Sequence, residues 1–119
     1  MTQTHQDNPL WTPSESVIRN ANIIHYMDWL VANRDQRFNA FDKLWRWSVD
    51  NLADFWGSIW DYFGVISSQP ASTVLASKAM PGAQWFVGAQ LNIAENFFAR
   101  ANENQPALIF KAEDQLIRS

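Results

Sequence analysis

Apolar residues recur at helical spacing through most of the chain and give way to a short unbroken apolar run near its end. Residues 1–10 are largely polar and predict a mobile arm, whereas residues 11–106 predict several short to medium helices. Residues 107–119 predict one strand or a hairpin. We therefore predict a mainly α fold whose helices pack through an aromatic stripe, with a short C-terminal β-strand or hairpin.

The first predicted helix begins at the TPSE stretch, residues 12–15. Thr12 can cap this helix, Pro13 suits its first position, and Glu15 can complete a capping box. Apolar positions continue at helical spacing to about Asn33 and predict an inward face of Val17, Ala21, Ile24, Met27 or Tyr26, Leu30 and Val31. A polar connector at residues 33–37 precedes a second short helix, predicted from Phe38, Phe41, Leu44 and Trp45.

The densest aromatic segment spans residues 45–64 and holds four of the seven tryptophans. Its apolar positions follow the i, i+3, i+4, i+7 pattern of one helix face: Leu52, Phe55, Trp56, Ile59, Trp60 and Phe63. The residues assigned to the polar side are Asp50, Asn51, Asp54, Ser58 and Asp61. Ser48, Asp50 or Asn51 can cap this helix, and Gly64 can end it in the left-handed conformation.

Weaker patterns follow the aromatic helix. Residues 71–80 are compatible with either an extended or a helical segment, and the Met80-Pro81-Gly82 triplet predicts a turn. Residues 91–101 predict a helix capped by Asn92, with Leu91, Ala94, Phe97 and Phe98 facing inward. A loop is expected at residues 102–106.

The C-terminal residues predict the beginning of a sheet. Residues 107–112 form an apolar run typical of a buried strand, residues 113–115 predict a turn, and residues 116–118 predict a returning strand. Because a lone hairpin is marginally stable, we expect this strand to need neighbours that the 119 residues do not supply.

Composition narrows the functional classes. The chain is 47% hydrophobic and only 18% charged, so we expect its surface to be short of polar cover. Its net charge is −3 and its basic residues are scattered, which argues against a nucleic-acid partner. There is no cysteine, no apolar segment long enough to span a membrane, and no apolar core of a signal peptide near the start. We expect a cytoplasmic protein without membrane contact.

No constellation of reactive residues emerges from the sequence. The four glycines are too far apart for a phosphate-binding loop, and His25 has no partner at metal-ligand spacing. Asp50, Asp54 and Asp61 share a helical spacing, but a solvated face explains them better than a carboxylate pair. The serines lack a nucleophile motif; they are Ser48, Ser67, Ser68 and Ser72. We therefore predict no catalytic, cofactor-binding or metal-binding residue.

Three interpretations compete for the aromatic stripe: a ligand surface, a membrane-facing helix, or a packing face. Binders of single-stranded nucleic acid add a basic groove, and membrane-surface helices carry lysine and arginine on their polar side. Here the polar side carries aspartates. Packing inside the protein or between domains is favoured.

Several segments of the chain resemble the opening region of the acetoacetyl-CoA synthetase (acetoacetate–CoA ligase) family. The likeness rests on the W-S-V-x-x-x-x-x-F-W run from Trp47 and the W-F-x-G-A-x-L-N-x-A-E-N run from Trp85, with LWTPSESVIRN before them and ALIFKAED after them. It extends over residues 9–117 and, more distantly, to the start of acetyl-CoA synthetases. Gln84 stands where that family commonly has a basic residue, and Val87 where it often has a proline.

The resemblance implies a parent enzyme of the AMP-forming acid–thiol ligases, which adenylates acetoacetate with ATP and Mg²⁺ and passes the acyl group to CoA. The motifs that bind these ligands lie downstream in that family, so no catalytic or ligand residue is carried over. The resemblance further implies that residues 11–106 pack on an α/β catalytic domain. Residues 107–119 would be the first strands of that domain, truncated here.

Two functions are therefore expected to compete. The chain is either an N-terminal fragment of such a ligase that acts as a non-catalytic packing cover, or a stand-alone helical interaction module that binds a partner through Trp56, Trp60 and Phe63. The fragment hypothesis predicts self-association of the isolated chain, because large exposed apolar patches promote it, whereas stable folding as a monomer would favour the independent module.

Overall fold

The structure, a computed structural model, describes residues 10–102, 104, 106 and 108–113. The chain forms two compact units, residues 1–51 and 52–119. The fold is mainly α, as predicted: the described residues contain five helices and one two-stranded hairpin. Apart from Leu10, the predicted arm at residues 1–10 lies outside the described residues, and so does the predicted returning strand at residues 116–118.

The first unit contains α1 (Glu15–Arg19), α2 (Asn22–Arg34) and α3 (Phe41–Asp50). The cap of α1 is Ser14, whose hydroxyl accepts the N–H of Val17 at 3.4 Å, so the prediction of Thr12 as the cap is wrong. A side chain caps by reaching backbone N–H groups two or three positions ahead, and the helix begins after Ser14 rather than after Thr12.

The single long helix predicted from residue 12 to residue 33 is interrupted at Asn20 and Ala21. The side-chain amide of Asn20 donates to the Ser16 carbonyl at 2.9 Å, a local bond that competes with helix continuation. Ala21 then adopts an extended conformation with ψ of 135°, and α2 begins at the next residue.

Burial in the first unit is narrower than predicted. Tyr26 and Leu30 on α2 are buried, and so is Leu44 on α3, whereas Val17 on α1 is exposed.

The helix α3 is also longer than the predicted short segment. The ring of Phe38 lies 5.3 Å from that of Trp47, and these two rings anchor the start of α3 to its last turn.

The second unit contains α4 (Leu52–Tyr62), β1 (Thr73–Ser77), β2 (Gln84–Val87) and α5 (Ile93–Phe98). The helix α4 ends as predicted, with Gly64 in the left-handed region at φ of 55°. The two strands form an antiparallel hairpin in which Thr73 pairs with Val87 and Leu75 with Trp85. The segment left open in the sequence is therefore a strand.

The described hairpin lies at residues 73–87, on the C-terminal side of the chain and ahead of the apolar run at residues 107–112. Among the described residues 108–113, Phe110 forms a single β-bridge, and no longer strand is present. A run of apolar residues becomes a stable strand only when its backbone groups pair with a neighbour. Residue 107 and residues 114–119 lie outside the described residues, so the strand or hairpin predicted at residues 107–119 stays a prediction.

Candidate docking surface

The helix α4 packs on the hairpin through a small residue and an aromatic pair. A Cβ atom on Gly57 would lie 3.5 Å from Cγ2 of Val74, so the backbone of α4 comes close to β1 at this point. The ring of Trp60 stacks on Phe86 with centroids 4.6 Å apart and planes 28° apart. These contacts leave Trp60, a member of the predicted aromatic stripe, half-buried.

The remaining part of the stripe stays open. Trp56 is 42% exposed and meets Trp85, itself 39% exposed, edge to face with centroids 6.0 Å apart. Phe63, at the end of α4, is 48% exposed. The two indoles form a continuous aromatic surface across α4 and β2, which we call the indole pair (Trp56 and Trp85).

Ser58 corrects the predicted orientation of α4. The sequence pattern assigns it to the solvated side, yet it is fully buried, and its hydroxyl donates to the Phe55 carbonyl at 2.7 Å. A bond to its own helix satisfies this hydroxyl, so a serine is tolerated at a buried position. Ser58 is therefore the buried residue of α4, whereas the stripe residues of this helix are half-buried or exposed.

Two polar side chains attach α5 to the segment that follows α4. The amide group of Asn96 accepts the N–H of Ile66 at 2.7 Å and donates to the carbonyl of Ile66 at 2.8 Å. The guanidinium of Arg100 donates to the Phe63 carbonyl and lies over the Phe63 ring. A shallow pocket of about 200 Å³ lies between these groups. We call this arrangement the Asn96 clasp (Asn96, Arg100 and their partners Phe63 and Ile66).

The helix α5 is inverted relative to the prediction. Asn92 caps it as expected, accepting the N–H of Ala94 at 2.9 Å. Within α5, however, only Asn96 is half-buried, and the residues predicted to face inward are exposed: Leu91, Ala94, Phe97 and Phe98. The reason is that the Asn96 clasp turns the polar side of α5 toward the unit.

The side chains considered as possible reactive groups in the sequence are exposed to solvent or bonded to the backbone. His25 is exposed, as are Asp50, Asp54 and Asp61. Three serine hydroxyls donate to backbone carbonyls: Ser48 to Trp45 at 2.8 Å, Ser68 to Gln90 at 3.2 Å and Ser72 to Val87 at 3.1 Å. Across the residues that the structure describes, no three His, Asp or Glu side chains gather where they could hold a metal ion.

Sequence reasoning overlooked the residues of the Asn96 clasp. The signal was present, because Asn92, Asn96 and Arg100 recur at intervals of four and so share one side of a helix. The predicted orientation of the helix was based on the apolar residues of this segment and not on its row of polar residues. Such a row of polar residues indicates the inner side of a helix only when backbone groups lie within reach of its side chains. The positions of those backbone groups depend on the fold.

Comparison with known proteins finds relatives of this chain in one family of ligases. Residues 41–97 match the family model described as Acetyl-coenzyme A synthetase N-terminus. The acetoacetyl-coenzyme A synthetase of Rhizobium meliloti is 28% identical over 110 residues, which cover 92% of this chain and 17% of that protein. The acetoacetyl-CoA synthetase of Macaca fascicularis is 36% identical over 107 residues, which cover 88% of this chain and 16% of that protein.

A solved structure agrees with the sequence matches. The acetoacetyl-CoA synthetase from Streptomyces lividans superposes with a TM-score of 0.72 at 39% identity, covering 76% of this chain and 14% of that one. Over residues 41–97 the chain is similar to the family of acetyl-coenzyme A synthetase N-termini. More particularly, it is similar to the N-terminal region of acetoacetyl-CoA synthetases, within the AMP-forming ligases, which confirms the predicted resemblance.

The matches also define how much of a relative the chain represents. It spans 15–17% of the length of the first curated relatives that it matches.

No helix in the described part of the chain combines the length and the apolar character needed to cross a membrane.

Proposed function

We propose that this chain is the N-terminal packing region of an acetoacetate–CoA ligase. The parent reaction converts ATP, acetoacetate and CoA to acetoacetyl-CoA, AMP and diphosphate, in the cytoplasm and in the service of lipid metabolism. The chain supplies no catalytic group to it. ATP, Mg²⁺ and CoA would bind elsewhere in the parent, and the role of the chain is to cover and stabilise the catalytic domain.

The observation that carries this proposal is the balance of buried and exposed apolar residues. Among the described residues, four side chains are buried, namely Tyr26, Leu30, Leu44 and Ser58. The exposed large apolar side chains are far more numerous and include both members of the indole pair. Single exposed apolar residues are ordinary, but adjoining ones mark a surface that another body covers.

The length of the relatives supports the identity that we propose for that body. The matched segment is 14% of the Streptomyces lividans chain and 17% of the Rhizobium meliloti protein, so most of each relative lies outside it. We propose that residues 11–106 form the helical N-terminal region and that residues 107–119 contribute strands to the α/β catalytic domain. The exposure of Leu108, Ile109 and Phe110 supports this division.

The alternative is a stand-alone module that binds an unrelated partner through Trp56, Trp60 and Phe63. The exposure of Trp56 and Phe63 fits this function as well. Trp60 fits it less, because its ring is stacked on Phe86 inside the second unit. The two functions differ in the length of the natural polypeptide.

The mass of the native polypeptide distinguishes them. An antibody raised against residues 41–97 is used to isolate the protein from its source, and its intact mass is measured. We expect a polypeptide as long as the acetoacetyl-CoA synthetases, with ATP- and CoA-dependent formation of acetoacetyl-CoA. A native mass near 13.7 kDa, without any downstream reading frame for a ligase, would establish the independent module instead.

A further inference from the structure

One residue of the hairpin has a backbone conformation that its own side chain disfavours. Phe86, in β2, has φ of 44°, in the left-handed region where glycine is the usual residue. There the Cβ atom crowds the backbone, so a bulky residue is an outlier. Among the described residues, the only other non-glycine residue with a positive φ is Asp35, which ends α2, where this conformation is common. Phe86 is therefore the strained position of the hairpin.

The strain coincides with an aromatic contact that a regular strand could not make. Successive side chains of a strand point to opposite faces of the sheet. Trp85 and Phe86 are successive, yet the first meets Trp56 edge to face at 6.0 Å and the second stacks on Trp60 at 4.6 Å. Trp56 and Trp60 are four positions apart and share one face of α4. The left-handed conformation of Phe86 allows two consecutive rings to contact the same helix.

The surroundings of Phe86 keep it in this conformation. Trp85 and Val87, on either side of it, are both paired with residues of β1. Its carbonyl accepts the N–H of Ala89 at 3.0 Å. A strained conformation persists only where the structure around it holds it in place. Here the flanking strand pairs and the stack on Trp60 do so.

The stack and the strain oppose each other with free energies of the same order. If Phe86 relaxes to the extended conformation of a regular strand, its side chain points away from that of Trp85, and the stack on Trp60 is lost. The ring of Trp60, which is half-buried now, then becomes exposed. Two arrangements whose free energies differ little are both populated.

We propose that the stack of Phe86 on Trp60 is a strained latch that controls the exposure of Trp60. In the closed state Phe86 is left-handed and covers Trp60. In the open state Phe86 is extended, and Trp60 joins Trp56 and Phe63 as an exposed ring of α4. A partner that binds the uncovered ring would favour the open state through its higher affinity for that state. The latch involves α4 and β2 alone, so it is independent of which of the two functions above is correct.

The strain is tested with two substitutions of Phe86 in the 119-residue chain. Phe86→Ala and Phe86→Gly both remove the ring, but glycine adopts the left-handed conformation without a steric cost. We expect the folding equilibrium constant of the second unit to be about tenfold larger for Phe86→Gly than for Phe86→Ala. Urea denaturation, followed by fluorine NMR of fluorinated tryptophan at Trp60, measures both constants.

The matched control is Trp85, the neighbouring aromatic residue of β2, which has no positive φ. At an ordinary strand position glycine is less stable than alanine, so we expect Trp85→Gly to be less stable than Trp85→Ala. Opposite orders of alanine and glycine at the two adjacent positions would demonstrate strain at Phe86. Alanine as the more stable residue at both positions would overturn the proposal.

The opening of the latch is tested in the wild-type chain by fluorine relaxation dispersion, which detects exchange on the microsecond to millisecond timescale. We expect exchange at Trp60 with a second state populated to roughly 1%. Phe86→Gly should abolish this exchange, because it leaves no ring to cover and uncover Trp60. Trp45, in α3 of the first unit, is the control, and its signal should be the same in both proteins.

The absence of exchange at Trp60 in the wild-type chain would refute the latch, and so would exchange that persists unchanged in Phe86→Gly. The wild-type measurement decides the matter even if the variants of Phe86 do not fold.

Discussion

At the scale of single residues, Gly64 shows how backbone geometry ends a helix. Gly64 adopts φ of 55°, its N–H donates to the Asp61 carbonyl at 3.0 Å, and the N–H of Val65 donates to the Trp60 carbonyl at 3.1 Å. This is the Schellman pattern, which satisfies the last carbonyls of a helix. The prediction of Gly64 as the helix end came from one residue type and was confirmed because that geometry favours glycine.

Replacement of Gly64 tests this helix end. Gly64→Ala places a Cβ in the left-handed region and is expected to lower the free energy of unfolding by about 1 kcal/mol. Gly64→Asn is expected to cost less, because asparagine tolerates this conformation. Urea denaturation followed by tryptophan fluorescence measures both changes. Equal stability of the wild type and Gly64→Ala would be inconsistent with a strained position.

Gly57 illustrates the opposite case, a glycine in an ordinary helical conformation. Gly57→Ala brings a Cβ to ordinary contact distance from Val74 and raises the helix propensity of α4. We expect it to stabilise the chain by about 0.5–1 kcal/mol. Gly57→Leu serves as the contrasting variant, because its larger side chain would push β1 away. The thermal stabilities of the wild type and the two variants test this expectation. A destabilised Gly57→Ala would show that α4 and β1 can approach this closely only without a Cβ atom at residue 57.

At the scale of elements, α4 and the β1–β2 hairpin form the framework of the second unit. The pattern of six apolar positions predicted α4 closely, with a start at Leu52 and an end before Gly64. Which of those positions would be buried could not be predicted, because burial depends on where the hairpin packs. Trp60 is stacked on Phe86, whereas Trp56 remains at the edge with Trp85.

The two tryptophans of α4 are therefore expected to differ in their contribution to stability. Trp60→Ala removes a packed ring and is expected to cost about 3 kcal/mol. Trp56→Ala removes a ring that is already partly solvated, and its cost is expected to be about 1 kcal/mol. Both values follow from denaturation of the 119-residue chain. A larger cost for Trp56 than for Trp60 would mean that the indole pair is the true packing centre.

The helix α5 shows the limits of periodicity at the same scale. Its cap at Asn92 and its existence were predicted, but the direction of its apolar face was not. An apolar face turns inward only when the interior of the unit receives it, and here the Asn96 clasp occupies the inner side. The segment at residues 71–80 was undecided for a related reason, since strand formation in β1 depends on pairing with β2.

The molecule as a whole has more apolar surface than it buries among its described residues. Exposed aromatic and aliphatic side chains occur in both units and include Trp11, Phe41, Trp56, Phe97 and Phe110. The low content of charged residues, 18%, already indicated a surface short of polar cover. Such a surface favours association with another protein body.

Self-association of the isolated chain is the expected consequence. Sedimentation velocity over a range of concentrations should show species larger than a 13.7 kDa monomer. Their share should increase with the concentration of a sulfate salt, because salt screens the repulsion between chains of net charge −3 and sulfate strengthens apolar association. The Ile93→Gln and Phe97→Gln variant should shift the distribution toward the monomer. A monomer at every concentration, for the wild-type chain, would argue that no larger partner is needed.

The sequence by itself determined the mainly α class, the aromatic helix with its glycine end, the cap of α5 and the family resemblance. These features depend on local spacing, capping chemistry and motif order, all of which are written in neighbouring residues. Only the tertiary structure decided that Ser58 is buried, that residues 73–87 form the hairpin, and that α5 turns its apolar side outward. Burial and strand pairing depend on partners that are distant in sequence, and no local pattern specifies which partner a side chain will meet.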